Sequence, residues 1–525
     1  MSGVILPSWE PSLPPMSWLL THTRDGWVLH HGSYVEVADR FFVEGGWAGP
    51  WDHLALVRAC NVFGSGGVVS KDSMEIATPS HTLDCLYLLI NRDDAVTAIS
   101  NSLPFVVEFA GINLPLDFRA TARMASVVFG LDRYDRLVLR DGNLRVARLF
   151  AKNCLWRRDG SITLKEKPKE PRFERYSEYV ALLASVIRET FSNCSHPERA
   201  VRFTPLATCS SGYDSNASAA LASAWGCKEA LTIKTGRGGT NDSGARVGPV
   251  VGLDVAEYRL PANGCGGNFE KEFFASGMGG EDLQYGVFEP RLSRRILVTR
   301  FHGDRVWSRR AFPSAVLERG DLSGCSLAEY RLRVGFVHVP VPFIAVHHHD
   351  AVHLISNCDE MAPFRVGGTY DRPIPRRVLE EKGVPRGWFG VRKKAVSVLA
   401  FRNAKALTLS SQRELRTLRG VLSGAKRLEY VGWSGSWWIR YFTLGWLMKL
   451  LKRIQYRGGP AHPIVRLARF AGDWRVFEHS HPFAAILFAW GLAGTRRRYR
   501  IFDEDRREGG TPGMEFEGGA HAAAP

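Results

Sequence analysis

Val201-Arg202-Phe203-Thr204-Pro205-Leu206-Ala207-Thr208-Cys209-Ser210-Ser211-Gly212-Tyr213-Asp214-Ser215, with the Ala-rich stretch Asn216–Ala224 behind it, is the segment from which the architecture is read. Val201–Thr208 reads as a buried strand, Cys209–Ser215 as a tight polar turn, and Asn216–Ala224 as a helix of high intrinsic propensity. A strand, a turn and a helix N-terminus together form an anion site. The first helical N–H groups have no intrahelical partner, and they carry the positive end of the helix dipole. Gly212 admits close approach of a ligand, and the hydroxyls of Ser210, Ser211 and Ser215 add donors. Asp214 would repel a bare phosphate, so its place here implies a Mg²⁺ ion bridging carboxylate and phosphate oxygens. The same residues also fit a plain helix start in which Ser and Asp act as caps.

Working outward, Ala230–Thr235 reads as the next parallel strand, followed by the Gly-rich loop Gly236–Asp242 and a helix-like Ser243–Val251. Ala256–Leu260 and Ile296–Phe301 are further strands, the second ending in His302-Gly303-Asp304. Alternation of strand and helix predicts an α/β fold with a central parallel sheet over residues 177–400. Open sheets of this kind bind ligands at the carboxyl ends of their strands. Asp214 and Asp304 could there hold one metal–pyrophosphate from two sides, although Gly-Asp after a strand is also a common turn.

Residues 1–150 read as mostly β, with short apolar runs such as Trp27–Leu29, Cys85–Ile90 and Val96–Ile99 divided by Gly, Asp or Asn. Residues 151–176 are polar and read as a connector, 401–502 as helical, aromatic and basic, and 503–525 as a disordered tail. The chain of 525 residues is 45% hydrophobic and 23% charged, which excludes wholesale disorder. It carries a net charge of +16, a field that favours anionic partners. Between Lys426 and Arg500 stand 14 Lys/Arg against 3 Asp/Glu, a net of +11, so this block carries most of the imbalance. No run of about 18 apolar residues is present, so no membrane span is expected. Met1–Leu20 lacks the basic start of a secretory signal. The nine cysteines form no CxxC pair and read as reduced thiols, which points to a cytoplasmic protein.

Ser210-Ser211-Gly212-Tyr213-Asp214-Ser215 resembles the SGGxDS signature of the PP-loop ATP pyrophosphatases, in particular the synthetase domain of asparagine synthetases and of β-lactam synthetase, with Ser211 in place of the first glycine. His302-Gly303-Asp304 is similar to that family's second, metal- and pyrophosphate-binding motif, without its longer Glu-containing form. Met361–Phe364 and Tyr370–Arg377 lie where the family has its post-sheet helical segment, and Gly390-Val391-Arg392-Lys393-Lys394 resembles the segment that supplies its catalytic lysine. The resemblance covers about residues 180–400. It implies that ATP adenylates a carboxylate, that pyrophosphate leaves, and that an amine or ammonia then displaces AMP. By the same resemblance Ser210, Ser211, Gly212, Asp214, Ser215 and Gly303 would hold the pyrophosphate, Asp214 and Asp304 the Mg²⁺, and Ile233–Thr235 would flank adenine. Lys393 or Lys394 would act on the transition state, or form a solvated basic face. The acceptor would be a small carboxylate or a carboxylated sugar or peptide. The family's N-terminal glutaminase uses a cysteine directly after Met1. Here Ser2 stands there and the first cysteine is Cys60, so residues 1–150 are expected to be a glutaminase-like domain without activity. Two rival readings follow: a decayed, regulatory nucleotide binder, and a PP-loop enzyme acting on RNA, ranked last because no RNA-binding module is visible.

Three other constellations stand out. His347-His348-His349-Asp350 with His353 offers metal-ligand spacing, or else a polar rim of the cleft. Gly277-Met278-Gly279-Gly280-Glu281-Asp282 is a mobile loop whose carboxylates could meet a metal or amine, or a capped helix start. Ser436–Arg453 and Phe483–Leu492 are apolar runs flanked by Trp and Arg, which suits peripheral contact with the inner membrane surface or a buried helical hairpin.

Overall fold

The computed structural model describes residues 4–114, 116–235, 239–261, 269–368, 370–390, 400, 402, 404–422, 424–458, 474 and 476–502. The N-terminal region is built from β1 (Ile5–Trp9), β2 (Trp18–His22), β3 (Trp27–His31), β4 (Glu36–Ala38), β5 (Phe41–Trp47), β6 (Val62–Val69), β7 (Ser73–Ala77), β8 (Leu86–Ile90), β9 (Val96–Ser100), β10 (Leu137–Asp141), β11 (Leu144–Leu149), β12 (Asn153–Arg157) and β13 (Ile162–Lys165). One sheet runs β1-β3-β2-β9-β8-β11-β10 and the other β13-β12-β7-β6-β5-β4. Only the β1–β3 pair is parallel among them. Alternate residues of each strand face the other sheet, so Trp18, Leu20, Trp27 and Leu29 of the first meet Phe42, Met74, Ile76 and Trp156 of the second in one core. Ring centroids of Trp27 and Trp156, and of Trp18 and Phe42, are 4.9 Å apart.

The stretch expected to be a connector is corrected here. β12 and β13 complete the second sheet, and only 166–175 runs without regular structure. The outward Lys152, Arg157, Arg158 and Lys165 gave the segment its polar look, while Cys154 and Trp156 point into the core.

After the helix Tyr176–Cys194 come β14 (Thr204–Thr208), β15 (Glu229–Ile233), β16 (Asp254–Tyr258), β17 (Arg295–Thr299) and β18 (Val337–Pro340). They form an all-parallel sheet in the order β16-β15-β14-β17-β18. Strands two and three lie on one side of the first and strands four and five on the other, so the order reverses between β14 and β17. Helices pack on the central strands β14 and β17 and the sandwich meets β18, so the inner strands read as short apolar runs, while the edge strand β16 stays partly exposed. The helix-like Ser243–Val251 forms only a 3₁₀ turn, Gly248–Val251, because Gly244, Gly248 and Pro249 disfavour a longer helix.

The sandwich and the sheet are joined through buried ion pairs. Arg331, on the helix Ala328–Val334, meets Glu44 of β5 at 2.8 Å and Asp84 at 3.2 Å. Arg199 meets Glu36 of β4 at 2.6 Å. Farther on, Leu409–Gly420, Gly424–Gly458 and Pro482–Arg496 are helical. Phe483–Leu492 is buried core, packed on the helix Leu103–Phe109, rather than a membrane-facing run. Among the described residues, no helix is long and apolar enough to cross a membrane. The tail 503–525 lies outside the described residues.

Candidate functional site

The turn after β14 and the turn after β17 lie side by side at the carboxyl edge of the sheet, on either side of the point where strand order reverses. In the first turn, the side chain of Asn216 acts as an internal brace. Its amide nitrogen donates to the carbonyls of Ser210 (2.6 Å) and Gly212 (2.8 Å). Ser210 and Ser215 share a hydrogen bond of 2.7 Å between their hydroxyls. Ser211 donates through its hydroxyl to the Asp242 carboxylate and through its N–H to the Asp242 carbonyl at 2.9 Å. These bonds fix the backbone before any ligand arrives, which is the preorganisation an anion site needs.

The helix Tyr213–Ser223 begins at Gly212, which has no side chain with which to cap it. Ser211 turns its hydroxyl to Asp242, whereas Ser210 Oγ accepts the Gly212 N–H at 3.1 Å, so a serine does meet the helix start although no side chain caps its first turn. Gly212 has ordinary dihedrals, and a Cβ there would stand 3.3 Å from Ser210 Oγ and 3.4 Å from the Tyr370 hydroxyl, a close fit rather than a clash.

Asp214, in the first helical turn, is buried. One of its carboxylate oxygens pairs with the guanidinium of Arg372, also buried. The other, Oδ1, has no hydrogen-bond partner among the described residues. Beside it runs the second turn. A Cβ on Gly303 would lie 3.0 Å from Asp214 Cβ and Cγ, so any larger residue would have to push the two turns apart by a few tenths of an ångström. His302 holds φ at +75°, a left-handed conformation that costs a non-glycine residue about 1–3 kcal/mol. Burial keeps the His302 imidazole neutral, its pKa well below the ordinary value, and its ring stacks on Phe343 at 4.6 Å. Such strain at a strand-end turn marks a position that the surrounding structure over-determines.

The expected residues are distributed as follows. Ser210, Ser211, Gly212, Asp214, Ser215 and Gly303 come together. The Asp304 carboxylate lies beside Gly320, with Oδ2 2.9 Å from where a Cβ on that glycine would stand. Ile233 ends β15, and Thr235 is exposed and bridges to Asn241. Lys393 and Lys394 lie outside the described residues, as does Ser2. The chain does reach residue 390 beside the loop, where the Gly390 N–H donates to the Ser211 carbonyl at 2.9 Å.

Arg372 was not anticipated. It enters from the Tyr370–Arg377 segment, where the helix Pro373–Glu381 begins. Its guanidinium lies over the Tyr370 ring at 4.9 Å, and its neighbour Arg376 donates to the Tyr213 hydroxyl at 2.8 Å. Two surface grooves, of about 740 and 370 Å³, lie elsewhere, and no residue of the loop lines either.

The histidine cluster is structural. His347 pairs with Glu170 at 3.0 Å, and His348 donates to the Glu170 carbonyl at 2.8 Å. Burial brings His349 down to about 4. Among the described residues, no group of three or more His, Cys, Asp or Glu side chains is placed to hold a metal. Asp282 accepts from the Ser326 hydroxyl and the Gly324 N–H, both at 2.7 Å, which ties it to a turn. Glu281 is buried, with His479 Nε2 standing 3.5 Å from its carboxylate. Burial, then the Asp282 charge, pushes Glu281 up to about 8. Burial pushes the thiols of Cys85, Cys154, Cys209 and Cys325 up to about 12, which makes them poor nucleophiles. Compared with known proteins, the chain matches no family model and no curated protein.

Proposed function

We propose that the protein is an ATP-dependent carbon–nitrogen ligase that adenylates a carboxylate, releasing pyrophosphate, and then passes the acyl group to ammonia or an amine. The observation that carries this reading is the braced, uncapped turn 209–215, with the unpartnered Asp214 oxygen at its mouth and Gly303 pressed against it. An anion with several charges fits the helix N–H groups. Asp214 Oδ1 is the oxygen that would meet a Mg²⁺ ion, and Asp304, whose carboxylate lies beside Gly320, would have to turn toward it to assist. When bound, that ion would offset the charge of the departing pyrophosphate.

The acceptor carboxylate oxygen attacks the α-phosphorus of ATP. The new P–O bond forms as the bond to the β-phosphate bridge oxygen breaks, and pyrophosphate leaves with the electron pair. The nitrogen of ammonia or an amine then attacks the acyl carbon, loses a proton, and AMP departs. The loop's contribution is to hold the phosphates in line, and Lys393 or Lys394 would meet the negative charge that develops. The sandwich of residues 5–165 supports kinship with a glutaminase-like domain, and with Ser2 in place of cysteine the nitrogen would come from solution or from an amine substrate.

Pyrophosphate release from ATP and Mg²⁺ with a panel of carboxylates and ammonia tests this. Asp214→Asn, which keeps the side-chain shape, is expected to lower release at least about a hundredfold; unchanged release would overturn the assignment. One observation favours a second reading. Arg372 already neutralises Asp214 from within, as would suit a regulatory nucleotide binder without turnover. Saturable ATP binding with no pyrophosphate from any acceptor would select it.

A further inference from the structure

The helix Gly424–Gly458 has 35 residues, so it is ~52 Å long. Among its described residues, the packed ones lie on one face. Trp437 is buried, stacked on Tyr441 at 4.8 Å and on Phe477 at 5.6 Å, and its indole N–H donates to the Phe477 carbonyl at 2.9 Å. Tyr441 stacks in turn on Trp474 at 5.6 Å. Tyr430, Trp433, Trp437, Tyr441 and Gly445 recur every three or four residues, as one helical face must.

A surface helix of a globular protein turns charged and polar residues away from such a face. Here Leu428, Val431, Trp438, Ile439, Phe442 and Trp446 point away from it instead, each between 42% and 76% exposed. At 3.6 residues per turn they fall within an arc of about 100°. The helix also carries seven Lys/Arg against one Asp/Glu. Two tryptophans among exposed aliphatic groups, on a helix with strong positive charge, match what the headgroup layer of a bilayer accepts: apolar rings below the phosphates and cations among them.

We propose that the outer face of Gly424–Gly458 is a membrane-binding surface that lies flat in the interface of an anionic bilayer. Charge selects this occupant. A second copy docked face to face would bring two strongly basic helices together, and like charges across an interface are unfavourable. An anionic leaflet reverses the sign. The helix lies in the plane rather than crossing it, with Arg440 midway along its length. The opposite, aromatic face stays on the protein, so the whole chain is held at the surface through one edge. Nothing in this argument depends on the chemistry of the phosphate loop.

Flotation of the full chain with phosphatidylcholine vesicles, with and without phosphatidylglycerol, tests it. The wild type is expected to float with the anionic vesicles and to be released by salt, with tryptophan emission shifted to the blue and quenched by bromine-labelled lipid. The triple variant Trp438→Ser/Phe442→Ser/Trp446→Ser removes exposed side chains only, so its melting temperature is expected to stay unchanged while vesicle partitioning falls at least about tenfold. If the triple variant folds poorly, the lipid quenching of the wild type decides the matter. No flotation, equal flotation with neutral vesicles, or flotation that survives the triple substitution would overturn the proposal. So would a concentration-dependent dimer that the triple variant abolishes and vesicles do not compete with, which would assign the face to a second copy.

Discussion

Arg372→Met is the substitution that asks most of the site as described. The Arg372 and Asp214 side chains are 6% and 2% exposed, and Asp214 Oδ1 has no other hydrogen-bond partner among the described residues. Methionine fills the volume of the Arg372 stem but leaves a buried carboxylate with no cation. Breaking a buried pair in this way costs about 3–5 kcal/mol. The carboxylate can limit the loss by taking up a proton. From an ordinary aspartate value of about 3.9, that costs roughly 4 kcal/mol at pH 7 and roughly 1.5 kcal/mol at pH 5. The sign follows: the variant's aspartate is a group whose folded-state pKa is raised, so stability is present at low pH and lost as pH rises. The variant's deficit in denaturant unfolding is therefore expected to shrink by about 2–3 kcal/mol between pH 7 and pH 5. Mg²⁺ with pyrophosphate, which supplies the missing positive charge, is expected to stabilise the variant more than the wild type. A deficit under about 1 kcal/mol at pH 7, or one that does not change with pH, would refute the claim that Arg372 is what neutralises Asp214.

Gly303→Ala places a methyl group 3.0 Å from Asp214 and 3.1 Å from the Trp307 ring. It is expected to destabilise by about 1–3 kcal/mol and to abolish thermal stabilisation by ATP and Mg²⁺, and retention of that stabilisation would separate the two turns functionally. Glu329 accepts hydrogen bonds from Ser102 Oγ and Tyr499 Oη at 3.0 Å and from Leu103 N–H at 3.2 Å, and burial pushes it up to about 8. Its contribution to stability is full below the ordinary value of 4.5 and is lost as pH rises towards 8. The isosteric, permanently neutral Glu329→Gln is expected to flatten the stability profile across that window, by up to ~1.4 kcal/mol per pH unit in unfolding curves. Arg331→Met strands Glu44 and Asp84 between sandwich and sheet, and is expected to lower unfolding stability by about 3–5 kcal/mol, a loss that Glu44→Gln in the same chain partly restores.

Local pattern and tertiary placement divided what the sequence could tell. β15 and β17 sit within two residues of their expected positions, because a largely buried parallel strand is written as a short apolar run between glycines and polar turns; the half-exposed edge strand β16 falls equally close. β12 and β13 escaped because hydropathy averages over both faces of an antiparallel strand: the outward Lys152, Arg157 and Lys165 outweigh the inward Cys154 and Trp156. The two terminal apolar runs read alike, yet Phe483–Leu492 is core and Trp438–Trp446 is exposed. Composition says that a helix is apolar, not whether a partner such as the helix Leu103–Phe109 waits to cover it.

The strand–turn–helix at 204–215 was legible because it is contiguous: strand, serines, glycine, aspartate and helix start lie within fifteen residues. Arg372 was not, although it sits in a segment already singled out, because the pair it makes spans 158 residues and no local rule assigns a cation to one carboxylate rather than another. If the turn holds an anion, Asp214 needs a positive partner, and the sequence by itself points to a metal. The fold supplies an arginine on one carboxylate oxygen and leaves the other open. An internal cation fixes the carboxylate's orientation in the absence of ligand, while the open oxygen keeps the site able to take a second positive charge. In the proposed function the arginine and a metal would share the same aspartate, and the test that separates an active ligase from a silent binder is turnover, not the presence of the pair.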